Sequence, residues 1–161
     1  MSNAVNTSQV QRRTLRFETL DQALAEARRI AQLAREGKAE YAGNWDAGQI
    51  LNHLGVWAEF AYGGNPTKVS FPLRLLGPLL RNHFLRKGLP AGHSIPGVPN
   101  GTHGTEQMPV DQALARMTAA FTRLKTETPP GRHPLFGKMS HEQYIALNLR
   151  HAELHMSFEK N

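Results

Sequence analysis

Four stretches of the chain repeat apolar residues at helical spacing, and each is bounded by residues that start or stop a helix. In the first, Leu20, Leu24, Ala27, Ile30, Ala31 and Ala34 recur every few positions, as the buried face of a helix does. Thr19 and Gln22 have the form of a capping box and Gly37 is placed to end the element, which predicts a helix over about 20–36. In the second, Asp46 and Gln49 repeat the capping pattern behind Trp45, which can act as a hydrophobic staple. Its stripe of Ile50, Leu54, Trp57, Phe60 and Ala61 runs to about Tyr62, and Gly63-Gly64 stops it. The third follows Pro109, a residue suited to a first helical turn. It carries Leu114, Met117, Phe121 and Leu124 on one side and ends before Pro129-Pro130-Gly131. The fourth opens at Ser140, with Gln143 completing another capping box, and is predicted to continue to the C-terminus.

The connections are less regular. FPLRLLGPLLRNHFLRKG follows a connection at residues 65–71. Pro72 can start a helix, but Gly77-Pro78 should break or kink it, so one or two short helices are expected over about 72–87. Residues 88–108 form a loop rich in Pro and Gly. Loops of that length inside a small domain are commonly functional or mobile. His93 and His103 lie on it and are read as loop polar groups able to serve in a lid. HPLFGKM, at 133–139, is a connector expected to dock Leu135 and Phe136 on the core. No stretch reads as a strand. The predicted fold is all-α: a four-helix bundle, a short extra helical segment and a long loop between the second and third main helices. A single domain is expected over residues 12–161, behind a flexible tail at 1–11.

Composition narrows the function classes. The 161 residues include no cysteine, which excludes disulfides, thiolate metal sites and a cysteine nucleophile. A cytoplasmic location is consistent with this. No apolar run is long enough to cross a bilayer. The formal charge is +6, but the basic residues are dispersed and no aromatic-interleaved motif accompanies them, so nucleic acid is not expected as a partner. Between Glu59 and Glu106 there is no acidic residue, while Lys68, Arg74, Arg81, Arg86 and Lys87 fall in that gap. A basic amphipathic helix there could lie on a membrane surface, although a covering segment over the bundle is the preferred reading. The apolar outer side of 71–85 suggests a homodimer contact.

The candidate chemistry lies on two helices. His151 and His155 are four residues apart and share a face with Tyr144, Asn148 and Phe158. Two imidazoles so placed can bind one divalent metal ion if a third ligand comes from elsewhere. His53, between Ile50 and Trp57 on the second helix, points along the buried side, where it needs a hydrogen bond or a metal. Each histidine alone could equally be a core imidazole satisfied by a hydrogen bond. The zinc-protease pattern H-E-x-x-H is absent: Ala152 follows His151, and Glu153 is off the histidine line. Glu59 is likewise off the His53 line.

The segments WDAGQILNHL at 45–54 and LRHAELHMSF at 149–158 resemble the DinB-like superfamily of metal-binding four-helix bundles. With RRTLRF, FLRKG, PAG and HPLFGKMS they resemble a branch of it known mainly as a domain of unknown function. The resemblance implies a divalent metal held by His53, His151 and His155. It also implies a metal-dependent transferase or isomerase using a low-molecular-weight thiol as cosubstrate. Zinc or nickel suit three imidazoles, with iron or manganese as alternatives. An open coordination position would hold a thiolate or activate water, giving thiol transfer or hydrolysis. Tyr144 and Asn148 are candidates to steady a ligand or meet substrate, and Arg81, Arg86 and Lys87 to attract an anionic ligand. The alternative is a non-catalytic metal-binding module acting in stress response or interaction, and a third reading has no metal at all.

Overall fold

The segment from Ala47 to Ala58 is apolar on nearly every side, so a helix built from it must be surrounded by others. A computed structural model of the chain, which describes residues 5–95, 98 and 101–161, packs it against three other helices. The elements are α1 (Leu20–Arg35), α2 (Ala47–Gly63), α3 (Phe71–Lys87), α4 (Val110–Thr126) and α5 (His141–Met156). The described residues form no strand, only isolated bridges such as Tyr41 with Glu159. Helices α1, α2, α4 and α5 all touch one another, while α3 touches only α5 among the helices. The core is filled by Ile30, Ile50, Leu51, Leu54, Met117, Phe121, Leu124 and Met156. Gly55 lets α2 lie close against the backbone of α4 at Met117.

All three capping boxes form. Thr19, Asp46 and Ser140 each accept from the backbone N–H three residues on, and Gln22, Gln49 and Gln143 reach back to the cap. These reciprocal bonds satisfy amides that a helix start leaves open. They fix the first turns of the two helices that carry the histidines.

Two expectations change. The 72–87 segment is one continuous 17-residue helix, Phe71–Lys87, rather than one or two short pieces. Pro78 removes one backbone donor. At Gly77, however, α3 meets the 133–139 loop so closely that a Cβ would sit 2.0 Å from the Leu135 carbonyl oxygen. Tertiary docking here overrides local propensity. Second, α5 ends at Met156 instead of running to the C-terminus. The last residues turn back, with Lys160 N–H donating to the Glu40 carbonyl. This buries Glu159 completely, paired with Arg13 and Arg29. Arg12 and Arg13 donate to the Leu154 and Met156 carbonyls, placing positive charge on the negative end of α5. Near the N-terminus, Val5 exchanges two hydrogen bonds with the Asn44 side chain. Among the described residues no helix is long and apolar enough to cross a membrane.

Candidate metal centre

His53 is held in one tautomer by the chain itself. The 102–106 stretch of the long loop runs along α2 and is pinned by three side chains of that helix. Gln49 donates to the Thr105 carbonyl, Asn52 to the Gly104 carbonyl, and His53 Nδ1 to the His103 carbonyl at 2.6 Å. A carbonyl only accepts, so Nδ1 carries the proton and Nε2 keeps its lone pair. Gly104 makes the approach feasible: its φ is +74°, and a Cβ would lie 2.9 Å from Val56 and 3.1 Å from His53 Cα. Behind the strap, Arg116 donates to Asn52 and binds both oxygens of Glu59. That ties α4 to α2 and directs Glu59 away from the histidines.

The lone pair of His53 Nε2 meets α5. His151 Nε2 is 3.1 Å away. One ligand nitrogen from each of His53, His151 and His155 lies within 4.8 Å of the others. Trp45 stacks on His155, with ring centroids 5.2 Å apart and an interplanar angle of 17°. Trp57 packs edge-on against His151 at 5.6 Å. Burial pushes the pKa of His53 down to about 4, against a smaller upward pull from its bond to the His103 carbonyl. Burial, with the neighbouring imidazoles, holds His151 and His155 well below the ordinary histidine value. All three rings are therefore neutral at pH 7, the state in which imidazole binds metal.

The donor set fits a divalent ion. Two imidazole nitrogens on one tetrahedral zinc, at metal–nitrogen distances of about 2.05 Å, are roughly 3.3 Å apart. The separation of His53 and His151 is close to that. Three nitrogens with no carboxylate among them suit a transition metal better than calcium or magnesium.

The cluster forms part of the wall of a cavity of about 830 Å³. Ile50, Phe84, Leu147, Leu154 and Phe158 give it a mainly apolar lining. Tyr144 and Asn148 line it as well, but their described bonds go elsewhere: Tyr144 donates to the Gly131 carbonyl and Asn148 to the Tyr144 carbonyl. Arg81, Arg86 and Lys87 do not line it. Arg81 donates to the Lys138 carbonyl, and the other two end α3. The cation that does line it is Arg132. His93 is an exposed residue of the cavity wall, whereas His103 acts through its backbone, behind His53. Glu153 is buried on another side of α5, accepting from Phe17 N–H and Arg150.

Sequence reasoning did not find the His103 carbonyl, because a backbone acceptor leaves no mark on residue type. The glycine that admits the strap, Gly104, was the available signal. Trp57, four residues after His53 on the same helix face, was also readable from spacing.

An all-helical protein with three histidines converging on a cavity is one that could hold a metal ion. The chain belongs to a family described as a protein of unknown function (DUF1569), whose sequence profile matches residues 9–161. No curated protein and no solved structure matches it.

Proposed function

We propose that the protein is a divalent-metal-binding enzyme of the DinB-like type, in which His53, His151 and His155 hold the ion and a low-molecular-weight thiol is the cosubstrate. The observation that carries this reading is the meeting of three neutral imidazoles on the wall of a large cavity. Structural metal sites are closed by four protein ligands, whereas a catalytic site keeps a position open toward substrate. A bound zinc or nickel ion would supply a Lewis acid that keeps a thiol ionised at neutral pH.

The chain's own residues prepare the rest. The His103 carbonyl fixes the orientation of His53, as an outer partner of a ligand histidine does. Trp45 and Trp57 hold the rings of His155 and His151 and keep water from their flanks. The apolar walls would bring an electrophilic substrate up to the histidines with little competing solvent. Cavity and open coordination together favour this reading over a non-catalytic module.

The test uses protein purified without a nickel column and then loaded with zinc, nickel, iron or manganese in turn. Each form is assayed for addition of several small thiols to an electrophile panel. Metal-dependent turnover with at least one thiol is expected. Full metal occupancy with no turnover across the panel would instead support the non-catalytic module.

A further inference from the structure

His133 lies on the cavity wall in the 133–139 loop, well away in sequence from the three clustered histidines. Its Nδ1 accepts from the backbone N–H of both Leu135 and Phe136, at 3.2 and 3.1 Å. Its ring stacks on Phe136 at 4.9 Å, and its own backbone pairs twice with Gly137. An Asn or Asp could close such a turn through a side-chain oxygen. What histidine adds is a second nitrogen on the far side of the ring. With Nδ1 committed as an acceptor, Nε2 carries the proton and is a fixed donor. Burial lowers the pKa of this ring to about 4, so at neutral pH it donates without changing charge.

Arg132 stands beside it. Among the described cavity residues Arg132 is the one Lys or Arg, and there is no Asp or Glu. Among the described residues it enters none of the ion pairs. Arg132 is itself exposed, so its guanidinium stands at the solvent side of a mainly apolar cavity that has an imidazole donor and no carboxylate, an arrangement electrostatically matched to an anion. Tyr144 Oη donates to the Gly131 carbonyl at 3.1 Å, which sets this pair at the Tyr144 level of α5. His151 is seven residues further along the helix, roughly 10 Å at 1.5 Å per residue. Leu147 and Leu154 line the wall on this side.

We infer that Arg132 and His133 form a carboxylate-binding subsite at the end of the cavity away from His53, His151 and His155. The ligand it fits has an apolar middle and a terminal carboxylate. Its other end reaches the three histidines some 10 Å away. The length of that ligand, though not the subsite, rests on the metal reading of the histidines.

The test loads the full chain with cobalt and titrates mercaptooctanoate, its methyl ester and octanethiol, reading the cobalt–thiolate absorption. The acid is expected to bind about tenfold or more tightly than the ester, the scale of a charge-assisted hydrogen bond. Arg132→Gln and His133→Asn should each remove most of that preference while leaving octanethiol binding unchanged. His133→Asn keeps an oxygen for the two turn amides and deletes the distal donor, so a purely turn-closing histidine would leave the ratio untouched. Equal affinity for acid and ester in the unmodified chain, or a ratio unchanged in both variants, overturns the subsite. If cobalt does not bind, octanoate against methyl octanoate is measured on the metal-free protein by calorimetry. Preference for octanoate that Arg132→Gln abolishes then upholds the subsite while the metal reading falls, and no preference overturns the subsite too.

Discussion

The Nε2 atoms of His53 on α2 and His151 on α5 face each other at 3.1 Å. Because His53 Nδ1 is committed to the His103 carbonyl, His53 presents a lone pair to its partner. Either His151 donates a proton into that gap or a cation sits between the two nitrogens. Three rings kept neutral by burial favour the cation once a divalent metal is available. His53→Ala, His151→Ala and His155→Ala should therefore each reduce bound metal from about one equivalent to less than about a tenth, since two imidazoles rarely retain an ion against dialysis. Elemental analysis of protein purified without a nickel column measures this. Undiminished uptake in any one variant would remove that residue from the ligand set.

The strap behind His53 makes a contrasting prediction. His103 contributes a carbonyl, so His103→Ala should leave metal affinity within a few-fold of the parent. Gly104→Ala requires a side chain at φ +74°, with its Cβ 2.9 Å from Val56. The loop must then lift, and His53 loses the acceptor that fixes its tautomer. A fall in affinity of about 10–100-fold is expected, the usual cost of losing an outer partner of a ligand histidine. Competition against a zinc-binding dye reads both constants. A larger loss in His103→Ala than in Gly104→Ala would mean that the imidazole of residue 103, not its carbonyl, matters.

These contrasts also mark what the chain announced in advance. A helix with a single apolar stripe and a capping box, such as α1, was legible because local pattern and tertiary role agree. So was the inward aim of His53, given by its spacing from Ile50 and Trp57. The continuity of α3 across Gly77-Pro78 was not, because it depends on a close approach to Leu135 far away in the chain. The same holds for the reversal after Met156, which serves the burial of Glu159 between two distant arginines. Arg81, Arg86 and Lys87 stood out by number. Arg132, a lone cation in a connector, is the one that lines the cavity.

Glu153 offers a check on the histidine line. It is buried, accepts from Phe17 N–H at 2.6 Å and pairs with the buried Arg150. Glu153→Ala leaves a guanidinium and an amide without their partner inside the protein, which should cost about 3–5 kcal/mol. Urea unfolding measures the loss. Metal uptake at low temperature should be unchanged, because the carboxylate does not face the three histidines. Loss of uptake in a variant that remains folded by circular dichroism would restore Glu153 to the site.

His133 links the cavity to pH. Its folded pKa, about 4, lies below the roughly 6.5 of an unfolded chain. The unfolded state therefore binds the proton first as pH falls. The contribution is intact above about pH 6.5 and is lost progressively toward pH 4, amounting to about 2 kcal/mol by pH 5. The structural cause is plain: protonating Nδ1 removes the acceptor of the Leu135 and Phe136 amides. His53, His151 and His155 shift in the same direction, so the slope of the parent alone is not diagnostic. The difference between the parent and His133→Asn isolates one ring, with chelator present to keep metal out of the balance. Urea unfolding at pH 7 and pH 5 should show the parent losing about 2 kcal/mol more than the variant over that interval. Parallel losses would mean that the ring at position 133 already takes up a proton in the folded protein.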